Sequence, residues 1–386
     1  MLDLEYILQF LESHRTSMLS DLQRLVEIES PSDSPVQLDQ AFGLLENWMV
    51  DLGATVERFS GPEGTHRLYT LDSKSDSPGI LILGHIDTVW PVGTLQKRPF
   101  EIRDGKAYGP GIYDMKGGIV QTLWALRALR QLNRLSGSIR FLVTCDEEVG
   151  SFGSRGLIEG CASSAACVLV IEPPNPGTHS LKTSRKGGGE IHLSVEGRAA
   201  HAGNPEKGVN AILELAHQAI VLSNLAAPER GTTISLGTCV GGTKTNVVPA
   251  YAELRADLRL THADEARRVE QALRHMRPIH PQATLLVSGG VQRLPFEQNP
   301  KTQGLYTVAR RVALALGFDL DEGSAGGMSD GNFTAPISPT LDGLGAVGDG
   351  AHAVDEHIVI SHLPIRAALF AGLLLELMGM DAIGFQ

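Results

Sequence analysis

Gly79-Ile-Leu-Ile-Leu-Gly-His-Ile-Asp87 is an apolar run that closes on a glycine and then offers a histidine and an acid. Four consecutive apolar residues between turn formers suit a strand buried on both faces, the habit of a parallel sheet. Ile139-Arg-Phe-Leu-Val-Thr-Cys145 and Cys167-Val-Leu-Val-Ile171 have the same character. Acids again follow: Asp146-Glu147-Glu148 after the first, Glu172-Pro173-Pro174 after the second. Between them Gly117-Gly118 opens a helix with Ile119, Leu123, Leu126 and Leu129 on one face. Strand and helix in alternation predict an α/β domain with a mixed, mainly parallel sheet flanked by helices. Residues 4–28 add helical spacing interrupted near Ser13, and the chain closes on a helix begun at about Pro364.

The pattern changes between about 184 and 294. Ile191, Leu193 and Val195 alternate with polar residues, which gives that strand one wet face. A helix over about Lys207–Ala226 and a strand over Thr233–Val240 follow. Tyr251–Leu260 then sets Leu254, Ala256, Leu258 and Leu260 against Glu253, Arg255, Asp257 and Arg259. Thr261, with Asp264 three residues on, predicts a capping box for a helix to about Met276, and Ala283–Ser288 closes the set. The order β-α-β-β-α-β is the ferredoxin-like split motif. A chain of 386 residues exceeds the ~250–300 that one core supports. The parent domain is therefore expected over 1–183 and 295–386, with an inserted domain over 184–294. It resumes with a helix over Thr302–Leu316, stopped by Gly317.

Each candidate ligand follows a buried strand or a glycine-rich turn, where open α/β sheets place their sites. His85 and Asp87 end the first strand; Gly111-Ile-Tyr-Asp114 lies in a loop; Glu147 and Glu148 follow the next strand, Glu172 the one after, and His352 comes far downstream in Gly348-Asp-Gly-Ala-His352. Five carboxylates at one sheet edge repel one another unless cations sit among them. Imidazole and carboxylate without thiolate point to Zn²⁺ or a similar divalent ion, and to two ions rather than one. Any one piece alone has a plain structural explanation, since an H-x-D can cap a turn and an adjacent Glu-Glu is usually a solvated face. The whole set in order does not.

Composition narrows the field. Acids exceed bases by 11 (44 against 33), which argues against a nucleic-acid partner. Two divalent ions at the site would offset four of those charges. Glycine, at 43 residues, is about 11% against a usual ~7%, and much of the excess flanks the candidate ligands, where tight turns are expected. The four cysteines (Cys145, Cys161, Cys167, Cys239) form no framework and read as buried thiols of a reducing compartment. The start, Met1-Leu-Asp-Leu-Glu, carries acids where a signal peptide carries bases. The most apolar stretch, Leu363–Met380, holds Pro364, Arg366 and Glu376, too charged to span a bilayer. A cytoplasmic protein without a membrane partner is the expectation.

In these motifs the chain resembles the di-zinc aminoacylase and carboxypeptidase family, which includes glutamate carboxypeptidase, acetylornithine deacetylase and succinyl-diaminopimelate desuccinylase. The likeness rests on Gly84-His-Ile-Asp-Thr-Val89, Tyr108-Gly-Pro-Gly-Ile-Tyr-Asp-Met-Lys-Gly-Gly118, Asp146-Glu-Glu-Val-Gly150, Ala200-His-Ala-Gly203 and Gly326-Gly-Met-Ser-Asp330. Gly150-Ser-Phe-Gly-Ser-Arg155 looks most like the glutamate carboxypeptidase branch.

The resemblance implies a role for each residue. Asp114 bridges two Zn²⁺ ions, for which Co²⁺ or Mn²⁺ can substitute. His85 and Glu172 hold one ion, Glu148 and His352 the other. Asp87 orients His85 through its second nitrogen, and Glu147 is the general base on the attacking water. A cis peptide is implied at Asp114–Met115. His201 is to reach a neighbouring active site and stabilise the oxyanion, which requires a homodimer through the inserted domain. Arg259 grips the substrate's terminal carboxylate, a task suited to a guanidinium fork, with Asn246 and Gly327 as further substrate contacts. Lys186 and Arg293 are open between substrate contact and plain surface. His357 and His362 compete with His352, which the glycine-rich approach favours.

Two readings of the residues agree with these roles. Two metals about 3.5–4 Å apart activate a shared water and polarise a carbonyl. Neighbours on an extended chain point opposite ways, so Glu147 and Glu148 are not expected to hold the same ion. The implied activity is hydrolysis of a peptide or amide bond next to a free C-terminal carboxylate, on a small peptide or N-acyl amino acid. The alternatives are an N-acyl-amino-acid deacylase or desuccinylase, a di-zinc aminopeptidase, and an inactive binding relative.

Overall fold

A computed structural model describes residues 2–71, 78–135 and 137–379. Met1 and Met380, which end two of the stretches read above, lie outside the described residues. The chain divides into two compact units, one of 1–183, 298–325 and 329–386, the other of 184–297 with 326–328.

The first unit is built on a six-stranded sheet. Ile80–His85 lies at its middle, parallel to Ile139–Thr144 on one side and to Cys167–Val170 on the other, with Thr340–Leu341 parallel beyond. All six residues of Ile80–His85 and all four of Cys167–Val170 are buried, as their unbroken apolar character requires. The register sets His85 beside Thr144 and Leu83 beside Val170. Three parallel strands therefore end at one edge, and the acids that follow them emerge together. The antiparallel pair Thr55–Ser60 and Thr65–Leu71, joined to Ile139–Thr144, makes the sheet mixed. Helix Gly117–Gln131 buries Ile119, Leu123, Leu126 and Leu129, each contributing about 1.5–3 kcal/mol. It packs against His362–Met378, which in turn packs against Leu2–Ser13. The N-terminal helical pattern breaks at His14, and a second helix runs Arg15–Val26. No helix among the described residues is long and apolar enough to cross a membrane.

The second unit is a four-stranded antiparallel sheet in the order Thr233–Gly241, Tyr251–Leu260, Gly187–Glu196, Thr284–Gly289. Ala252, Leu254, Ala256, Leu258 and Leu260 join Ile191, Leu193 and Val195 in its core. On the other face Arg255 pairs with Glu190 at 3.0 Å and His192 meets Glu253 at 3.3 Å. Helix Ala211–Ser223 is capped by Asn210, whose Oδ1 accepts the Leu213 N–H at 3.0 Å.

Several expectations need correction. Thr261 does not cap the second helix, which runs Ala263–His275; the Glu297 carboxylate accepts the Ala263 N–H at 2.6 Å instead. This unit extends past 294 because Arg185 and Phe296 exchange backbone hydrogen bonds of 2.9 and 3.1 Å. Gly326–Met328 groups with it, the Gly327 carbonyl accepting from Arg185 Nη1 at 3.3 Å. The last helix of the chain starts at His362, with Pro364 inside its first turn, where no intrahelical N–H is needed. Cys239, on the outermost strand of the sheet, is exposed, whereas the other three cysteines are buried.

Candidate metal centre

Asp114 sits at the centre of the cluster, in the loop before helix Gly117–Gln131. Its Oδ1 lies 3.3 Å from His85 Nε2 and its Oδ2 lies 3.5 Å from His352 Nε2. His85 Nε2 is also 3.4 Å from Glu172 Oε1, and His352 Nε2 is 3.1 Å from Glu148 Oε2. Each histidine Nε2 thus stands with one other carboxylate and shares Asp114 with its counterpart. Ligand atoms of His85, Asp114 and Glu148 lie within 4.8 Å of one another. His85 Nε2, Asp114 Oδ1 and Glu148 Oε1 are buried without a hydrogen-bond partner. Orphaned nitrogen and oxygen atoms converging in this way fit a hard or borderline divalent cation.

The charge balance points the same way. Burial alone would lower the His85 pKa, but Asp114, Asp87 and Glu172 outweigh it and hold the imidazole well above its usual value. Asp114 and Glu148 raise His352 to about 10. Burial would raise Asp114, yet His352 and His85 hold it well below the ordinary carboxylate range. Glu148, desolvated and next to charged Asp114, is pushed up to about 7. The cluster collects protons where positive charge is wanted, a task metal ions would perform.

Asp87 is fully buried and knits the strand end to the next loop. It accepts from Ser32 Oγ at 2.7 Å, from the Glu148 N–H at 3.1 Å and from the Glu147 N–H at 3.3 Å. His85 Nδ1 lies 3.0 Å from the Asp87 carbonyl and 3.4 Å from its carboxylate. Glu147 is half-buried on a 3₁₀ turn, Glu147–Val149. The two glutamates therefore diverge through the three-residue repeat of that turn, not through the pleat of an extended chain. The Asp114–Met115 peptide is cis.

Glu356 stands four residues after His352 in the sequence. Its buried carboxylate accepts the N–H groups of Tyr113 at 2.9 Å and Asp114 at 3.1 Å on Oε1, and those of Gly111 and the Trp90 indole, both at 2.8 Å, on Oε2. Lys116, also buried, donates to the Ile28 carbonyl at 2.7 Å, and burial lowers its pKa to about 7. Asp146 accepts the N–H groups of Gly153 and Ser154 at 2.9 and 3.0 Å, shaping the turn after Glu148. Gly111 and Gly350 have φ of +70° and +81°, as tight turns require. Gly118 serves close approach instead, since a Cβ there would stand 2.3 Å from the Ile171 carbonyl oxygen, one residue before Glu172.

Of the competing histidines, His357 stacks on Tyr108 at 5.2 Å and His362 meets His179 at 5.5 Å, while His352 joins the cluster. The remaining candidates belong to the second unit. His201 is exposed, its Nδ1 accepting the Gly203 N–H at 2.9 Å. Its short strand pairs with Val247–Val248, and the Ala202 N–H reaches the Asn246 carbonyl at 3.0 Å, so His201 and Asn246 lie on adjoining segments. Arg259 donates to Asp257 through Nε and Nη2 at 2.9 and 2.8 Å. Gly327 has open space where a side chain would stand.

The model of peptidase family M20/M25/M40 matches residues 81–376. Carboxypeptidase G2 of Pseudomonas sp. (strain RS-16) is 29% identical over 96% of this chain and 92% of its own length. Succinyl-diaminopimelate desuccinylase of Dechloromonas aromatica (strain RCB) is 30% identical over 85% of this chain and 90% of its own. Among solved structures, aminopeptidase PepT from Bacillus cereus ATCC 10987 superposes with a TM-score of 0.76 at 24% identity, covering 94% of this chain and 98% of that one. At that identity the likeness concerns the fold.

Proposed function

Because the chain belongs to peptidase family M20/M25/M40, and so to a class of metallopeptidases and amidohydrolases, we propose that it is a di-zinc hydrolase that cleaves a peptide or amide bond next to a free C-terminal carboxylate. The observation that carries this reading is Asp114, with one oxygen toward His85 and the other toward His352. His85 and Glu172 would hold one ion, Glu148 and His352 the second, with Asp114 between them. When bound, the two ions supply Lewis-acid polarisation of the scissile carbonyl and a water acidic enough to ionise near neutral pH. Glu147 takes the proton of the attacking water and delivers it to the leaving nitrogen. Asp87 keeps His85 in one orientation and fixes the turn that carries Glu147 and Glu148.

Substrate selection falls to the second unit. Arg259 receives the terminal carboxylate, exchanging its pairing with Asp257, while Asn246 and Gly327 complete the pocket. His201 stabilises the oxyanion of a partner's site, in a homodimer formed through this unit. Dimerisation is supported by exposed Leu213, Ile220 and Val221 on one helix and by Leu236 and Val240 on the outermost strand. Deacylation of an N-acyl amino acid is the second reading, favoured by the likeness to the desuccinylase.

A panel of dipeptides and N-acyl amino acids, each with a free or amidated C-terminus, tests the proposal with Zn²⁺ and with Co²⁺. Turnover is expected only with the free carboxylate, and Arg259→Ala should raise KM far more than it lowers kcat. Equal turnover of the amidated series would overturn the carboxylate requirement. The ratio of dipeptide to N-acyl turnover separates peptidase from deacylase.

A further inference from the structure

Within the first unit lies a cavity of ≈390 Å³ that none of the proposed metal ligands lines. Three nitrogen-bearing side chains line it. Arg366 is 2% exposed; its Nη2 and Nε donate to the carbonyls of Gly343 at 2.6 Å and Gly345 at 3.3 Å. Its Nη1 has no hydrogen bond, and no carboxylate pairs with the guanidinium, among the described residues. A buried charge without a counter-ion is costly and rare.

His179 and His362 line the same cavity, their rings edge to face at 5.5 Å. Neither imidazole has a hydrogen-bond partner among the described residues. Burial keeps both below the usual histidine value, with the Arg366 charge adding to it at His179, and both His179 and Arg366 adding to it at His362, which favours the neutral ring with one N–H. His179 is held at φ +56°, a left-handed conformation that a residue with a Cβ rarely adopts, by its N–H bond to the Asn175 carbonyl at 2.8 Å.

We propose that this cavity binds a small monocarboxylate with an apolar body, its carboxylate held by Arg366, His179 and His362. A guanidinium with an unused N–H and two neutral imidazoles offer charge-assisted bonds to carboxylate oxygens. Leu8 and Leu320 give the cavity apolar wall, and its volume suits a molecule of amino-acid size. Three carboxylates also line it: Asp319 and Asp321 are exposed, where water and salt screen their charge, and half-buried Glu12 is paired with Arg15. One backbone step joins the site to the metal centre, since the Gly345 N–H donates to the Glu172 carbonyl at 2.8 Å.

Calorimetric titration of the metal-loaded protein with isocaproate, which has no bond to hydrolyse, tests the proposal. One site per chain is expected, with isocaproamide and the Arg366→Met variant each binding at least about tenfold more weakly. His362→Phe keeps the guanidinium and is expected to weaken binding several-fold; should Arg366→Met fail to fold, His362→Phe decides alone. Asp114→Asn, which disables the metal centre, should leave isocaproate affinity unchanged. No detectable heat, equal binding of the amide, unaltered affinity in the cavity variants, or loss of binding in Asp114→Asn would each overturn the site.

Discussion

Asp87 Oδ2 accepts the backbone N–H of Glu148 at 3.1 Å, which ties the strand end that carries His85 to the turn that carries Glu148, the proposed ligand of the opposite ion. The same buried acid takes the Ser32 hydroxyl at 2.7 Å and faces His85 Nδ1. Both halves of the proposed metal centre are therefore set by one side chain. Asp87→Ala is expected to weaken divalent-metal affinity about 10–100-fold, and to do so at both positions. Competition with a chromophoric chelator measures this; wild-type affinity in the variant would show that Asp87 only packs the turn.

Glu147 behaves differently. Its backbone is held by Asp87, but no metal is assigned to its side chain. Glu147→Gln should therefore keep two ions per chain by elemental analysis while kcat falls about 10²–10⁴-fold. A variant that loses metal along with turnover would move Glu147 into the ligand set. Unchanged kcat would remove it as the base.

The legible part of the candidate site was the part that lies at strand ends. His85, Glu148 and Glu172 each follow a mainly apolar run, and parallel register delivers such residues to one edge without further information. The split βαββαβ order was legible for a related reason, since strict alternation in Tyr251–Leu260 marks a sheet with one wet face. Ser32 and Glu356 carried no local signal, because their partners lie 55 and 242–266 residues away and a lone serine or glutamate has no period. The glycines were visible as an excess, but backbone contact at Gly118 cannot be told from a turn without the neighbouring strand. The Thr261 capping box failed because a tertiary acid, Glu297, reached the helix end instead.

Acid stability of the second unit should depend on Glu265. Its carboxylate accepts from Arg268 at 2.9 and 2.6 Å and from Thr232 at 2.6 Å, and it also pairs with Arg230. Arg268, opposed by burial and helped by Thr232, holds its pKa at about 2 against an ordinary 4.5. A depressed carboxyl stabilises the native state above the unfolded value and stops doing so as pH falls through the folded one. The contribution is thus complete at neutral pH and fades between pH 4.5 and about 2. Glu265→Gln is expected to cost about 1–3 kcal/mol at pH 7, with the gap to wild type closing toward pH 2. Urea unfolding at stepped pH follows it, and a gap that persists at the acid end would assign the loss to packing.

Glu356 offers the sharpest separation of structure from site. A carboxylate can accept all four of its N–H donors, two per oxygen, whereas glutamine would turn an NH₂ group toward two of them. Each buried N–H left unsatisfied costs about 1–3 kcal/mol, and two of the four belong to Tyr113 and Asp114 themselves. Glu356→Gln should therefore displace the loop that carries Asp114 and weaken metal affinity about 10–100-fold, with an altered visible spectrum of the Co²⁺-loaded protein. Trp90→Phe removes a single donor and leaves no new orphan on the loop, so its loss should be a few-fold at most. Unfolding measured without metal gives the control. If Glu356→Gln lowers that stability while affinity and Co²⁺ spectrum match wild type, Glu356 braces the fold and does not position Asp114.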